Sequence, residues 1–364
     1  MVRSRGLFPP VNRLPPLSLT VSSLLRYDNL DLIRDIRSLP LYSYYRFFLP
    51  WAFTLGLTLP GEAAQITGLE SPNSFVGDPS GQEYFISNIN GEPEARDNNG
   101  FITKLNSEGK IIHLKFIQGG VAELLHAPKG MAIVGSILYV ADLDQLKGFD
   151  KTTGKLVTSV SLSPRSQAQV SLTDVAASPT GLLYASDQTA NSIYRINPSD
   201  NYRVDLLIHD DRLAGPAGIA IHPKTNHLIA VSWDKGKILE ITPDGQLTEL
   251  ESNGFFTSRF QNLSGVDFDQ WGNMYVSDFT KGKIWRMTRD HRFQVIAEYL
   301  PAPADISIDR ENNLILVPYH YVHAAEMNGL EAPSSARPKG DKRTLADYGF
   351  IPPPPKPAPE EIKK

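Results

Sequence analysis

The chain has 364 residues, of which 41% are hydrophobic, so it is long and apolar enough to build a sizeable core. Its formal net charge of −4 gives no sign of the basic surface that nucleic-acid binding needs, and we expect no nucleic-acid partner. There is no cysteine, which excludes disulfides, thiolate catalysis and cysteine-based metal sites.

An apolar run at residues 47–60 follows Arg46 and precedes small residues that end at Ala63. This order is typical of a secretory signal with its cleavage site. The run is shorter than the roughly 20 apolar residues that span a membrane. We therefore predict cleavage after Ala63, export to the periplasm or the cell exterior, and no stable membrane span in the mature chain. A membrane anchor formed by residues 47–60 and an intracellular location are the alternatives.

A repeated unit organises the chain between residues 70 and 328. In each copy, a turn leads into a short alternating strand. These strands are predicted to begin at Ser74, Gly130, Asp174, Gly218, Gly265 and Asp305. Successive starts are 56, 44, 44, 47 and 40 residues apart, which is typical of the blades of a propeller.

Each copy continues with a second strand that mostly ends in a polar residue, as in Leu138-Tyr-Val-Ala-Asp142, and then with a third and a fourth strand. The pattern predicts an all-β fold: a six-bladed β-propeller with four-stranded antiparallel blades, spanning residues 64–330. The strand-end residues Asp142, Asp187 and Asp278 recur from blade to blade, so we expect them to accept structural hydrogen bonds.

The last copy shows no convincing fourth strand after Met327. A propeller with an open seam would expose an unpaired strand edge. We therefore predict that the ring is closed by an N-terminal strand at residues 64–69.

Three phrases accompany the six copies: ESP at residues 70–72, APKGMAIVGSILYVAD at 127–142 and GPAGIAIHP at 215–223. With them, residues 66–328 resemble the SMP-30/gluconolactonase/LRE-like and NHL-type six-bladed propellers. The stretch SNINGEPEARDNNGF at 87–101 is similar to the signature of a bacterial exported branch of that superfamily.

The resemblance implies one divalent cation, calcium or zinc, at the channel mouth, with ligands from the starts of the innermost strands. Glu70 stands at the glutamate of the ESP turn, and Thr173-Asp174 replaces an Asn-Asp pair. Where the family has Asn and Asp, this chain has Ala217 and Ser264. The resemblance therefore predicts a depleted metal site, with Glu70 and Asp174 as the candidate metal ligands.

The predicted ligand-binding residues are Glu70, Lys129, Thr173, Asp174, Ser264 and Asp305. We expect an extracytoplasmic propeller that binds a small polar ligand or a protein partner at its loop-lined face, with Lys129 pairing with Glu70 or attracting an anion. The alternative is a metal-dependent lactonase-type hydrolase in which Asp174 is a ligand or base. A turn or strand-capping role for Glu70 is the structural hypothesis. The sequence leaves open whether the protein is an enzyme.

Two further segments stand apart from the repeat. The insertion at residues 88–100 is rich in oxygen donors but lacks the EF-hand pattern, so we expect a loop held by Asx turns over one face, with a calcium site as the alternative. The Pro-rich tail at residues 331–364 is expected to be extended and disordered. A proline-binding partner for that tail is the alternative.

Overall fold

A computed structural model describes residues 65–120, 125–162, 170–254 and 258–330, in which 23 β-strands form six sheets. The predicted signal-like segment, its cleavage site and the Pro-rich tail lie outside these residues. The described residues also include two short 3-10 helices, Pro198–Asp200 and Asp211–Leu213. No helix among the described residues is long and apolar enough to cross a membrane.

The first three blades each contain four strands. Blade 1 contains β1 (Pro72–Gly77), β2 (Glu83–Asn88), β3 (Phe101–Asn106) and β4 (Ile111–Gln118). Blade 2 contains β5 (Pro128–Val134), β6 (Ile137–Asp142), β7 (Gln145–Asp150) and β8 (Leu156–Ser161). Blade 3 contains β9 (Leu172–Ala177), β10 (Leu183–Asp187), β11 (Ser192–Asn197) and β12 (Arg203–His209).

Blades 4 and 5 follow the same plan, and the sheet of blade 6 has three strands. Blade 4 contains β13 (Pro216–Ile221), β14 (Leu228–Ser232), β15 (Ile238–Ile241) and β16 (Leu247–Glu251). Blade 5 contains β17 (Leu263–Phe268), β18 (Met274–Asp278), β19 (Lys283–Met287) and β20 (Phe293–Glu298). Blade 6 contains β21 (Ser307–Asp309), β22 (Leu314–Tyr319) and β23 (Ala324–Gly329).

Consecutive strands pair in antiparallel fashion within every blade, and the innermost strands β1, β5, β9, β13, β17 and β21 form a ring in chain order. Because neighbouring side chains of a strand point to opposite faces, each sheet can bury apolar residues on both sides against the adjacent blades. One such cluster joins Ile193 and Tyr184 of blade 3 to Ile219 and Leu239 of blade 4. The six-bladed propeller predicted from the repeat is confirmed.

The seam of the ring lies at blade 6. The outer strand β23 pairs with Ile66, whose N–H donates to the Ala325 carbonyl at 2.8 Å and whose carbonyl accepts from the Ala325 N–H at 2.9 Å. Leu69 is buried in the same cluster as Phe75 and Leu316, so the apolar side chains on either side of the seam pack together. The N-terminal segment thus closes the ring, although through one bridge rather than a full strand.

Serines of the second strands join neighbouring blades close to the channel. Ser186 Oγ accepts from the Asp174 N–H at 3.0 Å and donates to the Ala217 carbonyl of the next blade at 2.7 Å. Ser277 repeats this arrangement between Gly265 and the Ala304 carbonyl. Because these hydroxyls satisfy backbone groups that sheet pairing leaves free, they fix the innermost strands at a defined distance from one another.

The strand-end aspartates accept backbone hydrogen bonds, as predicted. Asp142 accepts from the N–H groups of His126 and Ala127, Asp187 from that of Ser171, and Asp278 from that of Gln261. Burial raises the pKa of Asp187 and Asp278, while these backbone donors oppose the shift. Each of the three carboxylates therefore holds the loop that leads into its blade.

Candidate functional site in the central channel

The two ends of the central channel differ in the loops that surround them. The innermost strands begin at one end. This end also carries the loop at residues 89–100, which is the predicted insertion without Asn88, the last residue of β2; we call it the insertion end. The turns between the first and second strands lie at the opposite end, which we call the turn end. Antiparallel pairing of successive strands produces this division.

Glu70 lies at the insertion end, just before β1. Its side chain is 55% exposed, and its Oε2 lies 3.7 Å from Nδ1 of His323 in blade 6. The same nitrogen accepts a hydrogen bond from the Ser71 N–H at 2.8 Å. The Glu70 N–H itself donates to Asn88 Oδ1 at 2.9 Å. These are the contacts of a turn residue that connects blade 1 to blade 6.

Lys129 is buried at the insertion end, with 5% of its surface exposed. Its Nζ donates to Glu94 Oε1 at 2.7 Å and to Ser171 Oγ at 3.3 Å. The Ser171 hydroxyl also donates to Glu94 Oε1, at 2.8 Å. Lys129 therefore pairs with a glutamate of the insertion, and the predicted pairing with Glu70 is wrong.

The insertion lies over blades 2 and 3. In addition to the contacts of Glu94, Arg96 Nη2 lies 2.9 Å from Asp144 Oδ1, and the Leu125 N–H donates to Asn98 Oδ1 at 2.7 Å. The loop is closed at its base by a bond of 2.8 Å from Asn90 Nδ2 to the Asn99 carbonyl. Its oxygen donors are thus used to hold the loop across one face of the propeller.

Thr173 and Ser264 add no charge to the channel. Thr173 Oγ1 lies 3.5 Å from Gln188 Oε1. The Ser264 carbonyl packs against Gly218, where a Cβ would lie only 2.4 Å from that oxygen. Glycine is therefore required at Gly218 for neighbouring blades to approach this closely.

The predicted metal ligands do not converge. Glu70 faces His323, whereas the oxygens of Asp174, inside the channel, accept N–H groups from Val175 at 2.7 Å and Ile219 at 2.8 Å. A calcium ion takes six to eight oxygen ligands. Ala217 offers no side-chain oxygen toward that number. Among the residues that the structure describes, no three His, Asp or Glu side chains could hold a metal ion together. The donor set does not fit the divalent cation that the resemblance implies.

A cavity of about 800 Å³ occupies the channel on the side of the turn end, and all six blades contribute to its lining. It brings together two of the predicted ligand-binding residues, Asp174 and Asp305. The other four, which are Glu70, Lys129, Thr173 and Ser264, are not part of the lining. Most of the lining side chains are apolar, although polar groups contribute nearly half of the exposed wall. The apolar ones include Val76, Met131, Ile133, Ile219, Ile221, Val266, Ile306 and Ile308.

Asp174 and Asp305 belong to blades 3 and 6, which are opposite in the ring of six. Burial raises the pKa of Asp174 well above its usual value, and the charge of Asp305 adds to the shift. Burial also raises the pKa of Asp305, to about 7, while the nearby Ser74 hydroxyl opposes the shift. At neutral pH the folded channel therefore holds protons that exposed aspartates would have released.

Sequence reasoning missed a third carboxylate of the cavity, Asp267, and its partner Arg310. Arg310 Nη2 lies 2.5 Å from Asp267 Oδ1, and the Ile308 N–H donates to Asp267 Oδ2 at 2.7 Å. The repeat did contain a signal for Asp267: the equivalent position in blades 2, 3 and 4 is alanine, so a charged residue stands out there. The partnership itself links blades 5 and 6 and could not be read from spacing.

No family model matches this sequence. A search of curated proteins likewise finds no match. Solved structures do match. A Bacteroides thetaiotaomicron protein of unknown function aligns with a TM-score of 0.56 and 15% identity over 74% of this chain and 70% of its own. A putative gluconolactonase aligns with a TM-score of 0.55 and 16% identity over 75% of this chain and 96% of its own.

Virginiamycin B lyase from Staphylococcus aureus also aligns, with a TM-score of 0.53 and 14% identity over 74% of this chain and 99% of its own. At such identities the similarity shows the fold and does not transfer an activity. The chain thus has the six-bladed propeller fold of these solved structures.

Proposed function

We propose that this protein is an extracytoplasmic binding protein that holds a small polar molecule in the central channel of its propeller. The observation that carries the proposal is the cavity of about 800 Å³ lined by all six blades. Ligand pockets typically have volumes of roughly 300 to 1,000 Å³ and combine apolar walls with a few polar groups. The walls of this cavity and its aspartates have that character.

The cavity favours a small ligand over a protein partner, because a protein would contact the rim and leave the interior unfilled. The insertion end is less suited to binding, since Glu94, Lys129 and Ser171 already satisfy one another there. The extracytoplasmic location rests on the signal-like segment at residues 47–60.

The lactonase alternative receives less support from the geometry. It needs Glu70 and Asp174 to hold a cation together, yet Glu70 contacts His323 and the oxygens of Asp174 accept backbone N–H groups. A base with both oxygens engaged in this way is poorly placed to take a proton from water.

A thermal-shift screen of small polar molecules against the full chain tests the proposal, because a ligand that binds the folded state raises its melting temperature. Ala132 lines the cavity and is only partly buried, although it also packs against the core cluster between blades 2 and 3. Ala132→Phe should narrow the cavity, Ala132→Ser is the matched control, and circular dichroism checks that both variants are folded. Ligands should stabilise the native chain and Ala132→Ser but not Ala132→Phe. Equal stabilisation of all three, or of none, would count against a ligand in this cavity.

The hydrolase alternative has its own test. Elemental analysis after dialysis should find no stoichiometric calcium or zinc, and lactone turnover should be absent with or without chelator. Metal that is lost in Glu70→Gln, together with chelator-sensitive turnover, would replace the binding proposal with the lactonase one.

A further inference from the structure

The three aspartates that line the cavity differ in how their carboxylates are satisfied. Asp174 accepts two backbone N–H groups, from Val175 and Ile219. Asp267 accepts the N–H groups of Phe268 and Ile308 and also pairs with Arg310. Both carboxylates therefore have fixed partners within the protein, and neither needs a ligand.

Asp305 is the exception. It is only 9% exposed, and among the described residues the polar side chain that faces its carboxylate is the hydroxyl of Ser74. The Ser74 hydroxyl is completely buried, and its oxygen makes no hydrogen bond of good geometry with any described residue. A buried carboxylate usually has a cation or several N–H donors around it, because an unsatisfied one is costly. Within the described part of the chain Asp305 has neither, and it lines an open cavity.

The charges around Asp305 indicate the charge of the ligand that would bind there. The cavity lining contains three aspartates and one arginine, a formal charge of −2 when all are ionised. Arg310 is engaged with Asp267 and is not directed to Asp305 in any contact of the described residues. An anionic ligand would be repelled from this site, whereas a cation would relieve the repulsion between Asp174 and Asp305.

The side chains around Asp305 also indicate the shape of the ligand. Ile219, Val266 and Ile306 line the cavity beside the aspartates, and the described lining residues include no aromatic side chain. Apolar walls favour a ligand with an aliphatic body. A carboxylate without N–H donors favours a ligand that brings its own, since charge-assisted hydrogen bonds are stronger than neutral ones.

We infer that the cavity binds a small organic cation, a protonated amine with an aliphatic body, whose ammonium group donates hydrogen bonds to Asp305. The inference rests on the proposed function and specifies its ligand class. The ammonium replaces the N–H donors that Asp305 lacks, and the aliphatic body displaces water from the apolar walls.

Three probes of one shape test the ligand class: cyclohexylamine, cyclohexanol and cyclohexanecarboxylate. Each is titrated into the full chain by isothermal calorimetry at about pH 8, where the amine is protonated and Asp305 is ionised. The amine should bind at least roughly tenfold more tightly than the other two, because a hydrogen bond between two charged groups is stronger than one between neutral groups. Asp305→Asn should remove this preference. Glu70→Gln, the same kind of change outside the cavity, should retain it.

The possible outcomes separate the two proposals. An amine that binds no better than the alcohol or the carboxylate, or that binds Asp305→Asn equally well, overturns the assignment of a cationic ligand. The absence of binding by all three probes overturns it as well. The screen with Ala132→Phe decides independently whether the cavity binds a ligand of another class. Circular dichroism and melting of Asp305→Asn confirm that this variant is folded.

Discussion

At the insertion end of the channel, the buried ammonium of Lys129 meets Glu94 and Ser171, whereas inside the cavity the buried carboxylate of Asp305 meets only the hydroxyl of Ser74 among the described residues. Both groups are more than nine-tenths buried. The insertion supplies the partner at the first end. In the described part of the chain, no comparable loop supplies one in the cavity.

The contrast separates structural charges from those available to a ligand. A buried charge that has its partner contributes to holding loops and blades together, whereas one without a partner costs stability in the free protein. Such costs are typical of sites that complete their bonding with a ligand. Substitution should therefore destabilise the protein at a satisfied charge and stabilise it at an unsatisfied one.

The largest effect is expected from Asp267→Ala. The change leaves the Ile308 and Phe268 N–H groups and Arg310 without their acceptor. We expect a loss of about 3 kcal/mol, because unsatisfied buried donors and a broken ion pair each contribute to the cost. Urea unfolding measures it. A loss below about 1 kcal/mol would show that this carboxylate is not a structural partner.

In contrast, Asp305→Asn should increase the stability of the folded protein at high pH. The unfolded chain releases the Asp305 proton near the ordinary aspartate pKa of 3.8, but the folded protein releases it only at about 7. As pH rises from about 4 to 7, the unfolded state loses a proton that the folded state retains, so this group lowers the stability of the native protein. Asparagine does not ionise.

Melting curves measure this effect without ligand. We expect the Asp305→Asn variant to melt roughly 4 °C above the native chain at about pH 8, with the difference shrinking toward about pH 4. A variant that is less stable than the native chain at both pH values would show that Asp305 makes stabilising contacts in the folded state.

Lys129→Met tests the satisfied charge at the insertion end. Glu94 is 49% exposed on its side chain, so it can turn to water when the ammonium is removed. We expect a modest loss of about 1 kcal/mol and faster hydrogen exchange in residues 91–99, because the loop loses its link to blades 2 and 3. Arg96→Ala, which breaks an exposed ion pair of the same loop, is the control and should cost less. Unchanged exchange in Lys129→Met would mean that the loop is held elsewhere.

The smallest effect is expected from Glu70→Gln. The side chain is 55% exposed and lies 3.7 Å from His323, a geometry in which ion pairs contribute little. The melting temperature should change by less than about 1 °C, and the bound-metal content should not change. A large drop on substitution would mean that Glu70 binds something beyond the turn.

Much of the fold could be predicted from the sequence because the repeat is local and periodic. The strand predicted at residues 138–142 forms with its start shifted by one residue, as β6, and β22 and β23 occur where the last copy was expected to end the pattern. The seam was predictable too, since a ring cannot leave the edge of β23 open. That Ile66 closes it with a single bridge depends on the length and course of the chain between Gln65 and β1.

The site was predictable only in part. Asp174 was identified through the resemblance, as part of the Thr173-Asp174 pair, and Asp305 because it begins the innermost strand of the last copy. Glu70 was selected through the resemblance, yet its contacts with blade 6 belong to a turn. The predicted pairing of Lys129 with Glu70 was wrong because the spacing of residues does not specify the course of a long loop. The twelve-residue loop between β2 and β3 can place Glu94 at many positions around the insertion end.

The six blades and the order of their strands follow from a periodic local pattern, so the sequence alone specifies them. It also places Asp174 and Asp305 at the channel, whereas the role of Asp267 became visible only in the structure. Which of those aspartates has a partner depends on the assembled ring. Asp267 meets Arg310 across a blade boundary, and Asp174 meets the Ile219 N–H across another. Asp305 meets a single hydroxyl among the described residues. That distinction arises from where neighbouring blades place their donors, which depends on the closed ring and not on any one repeat.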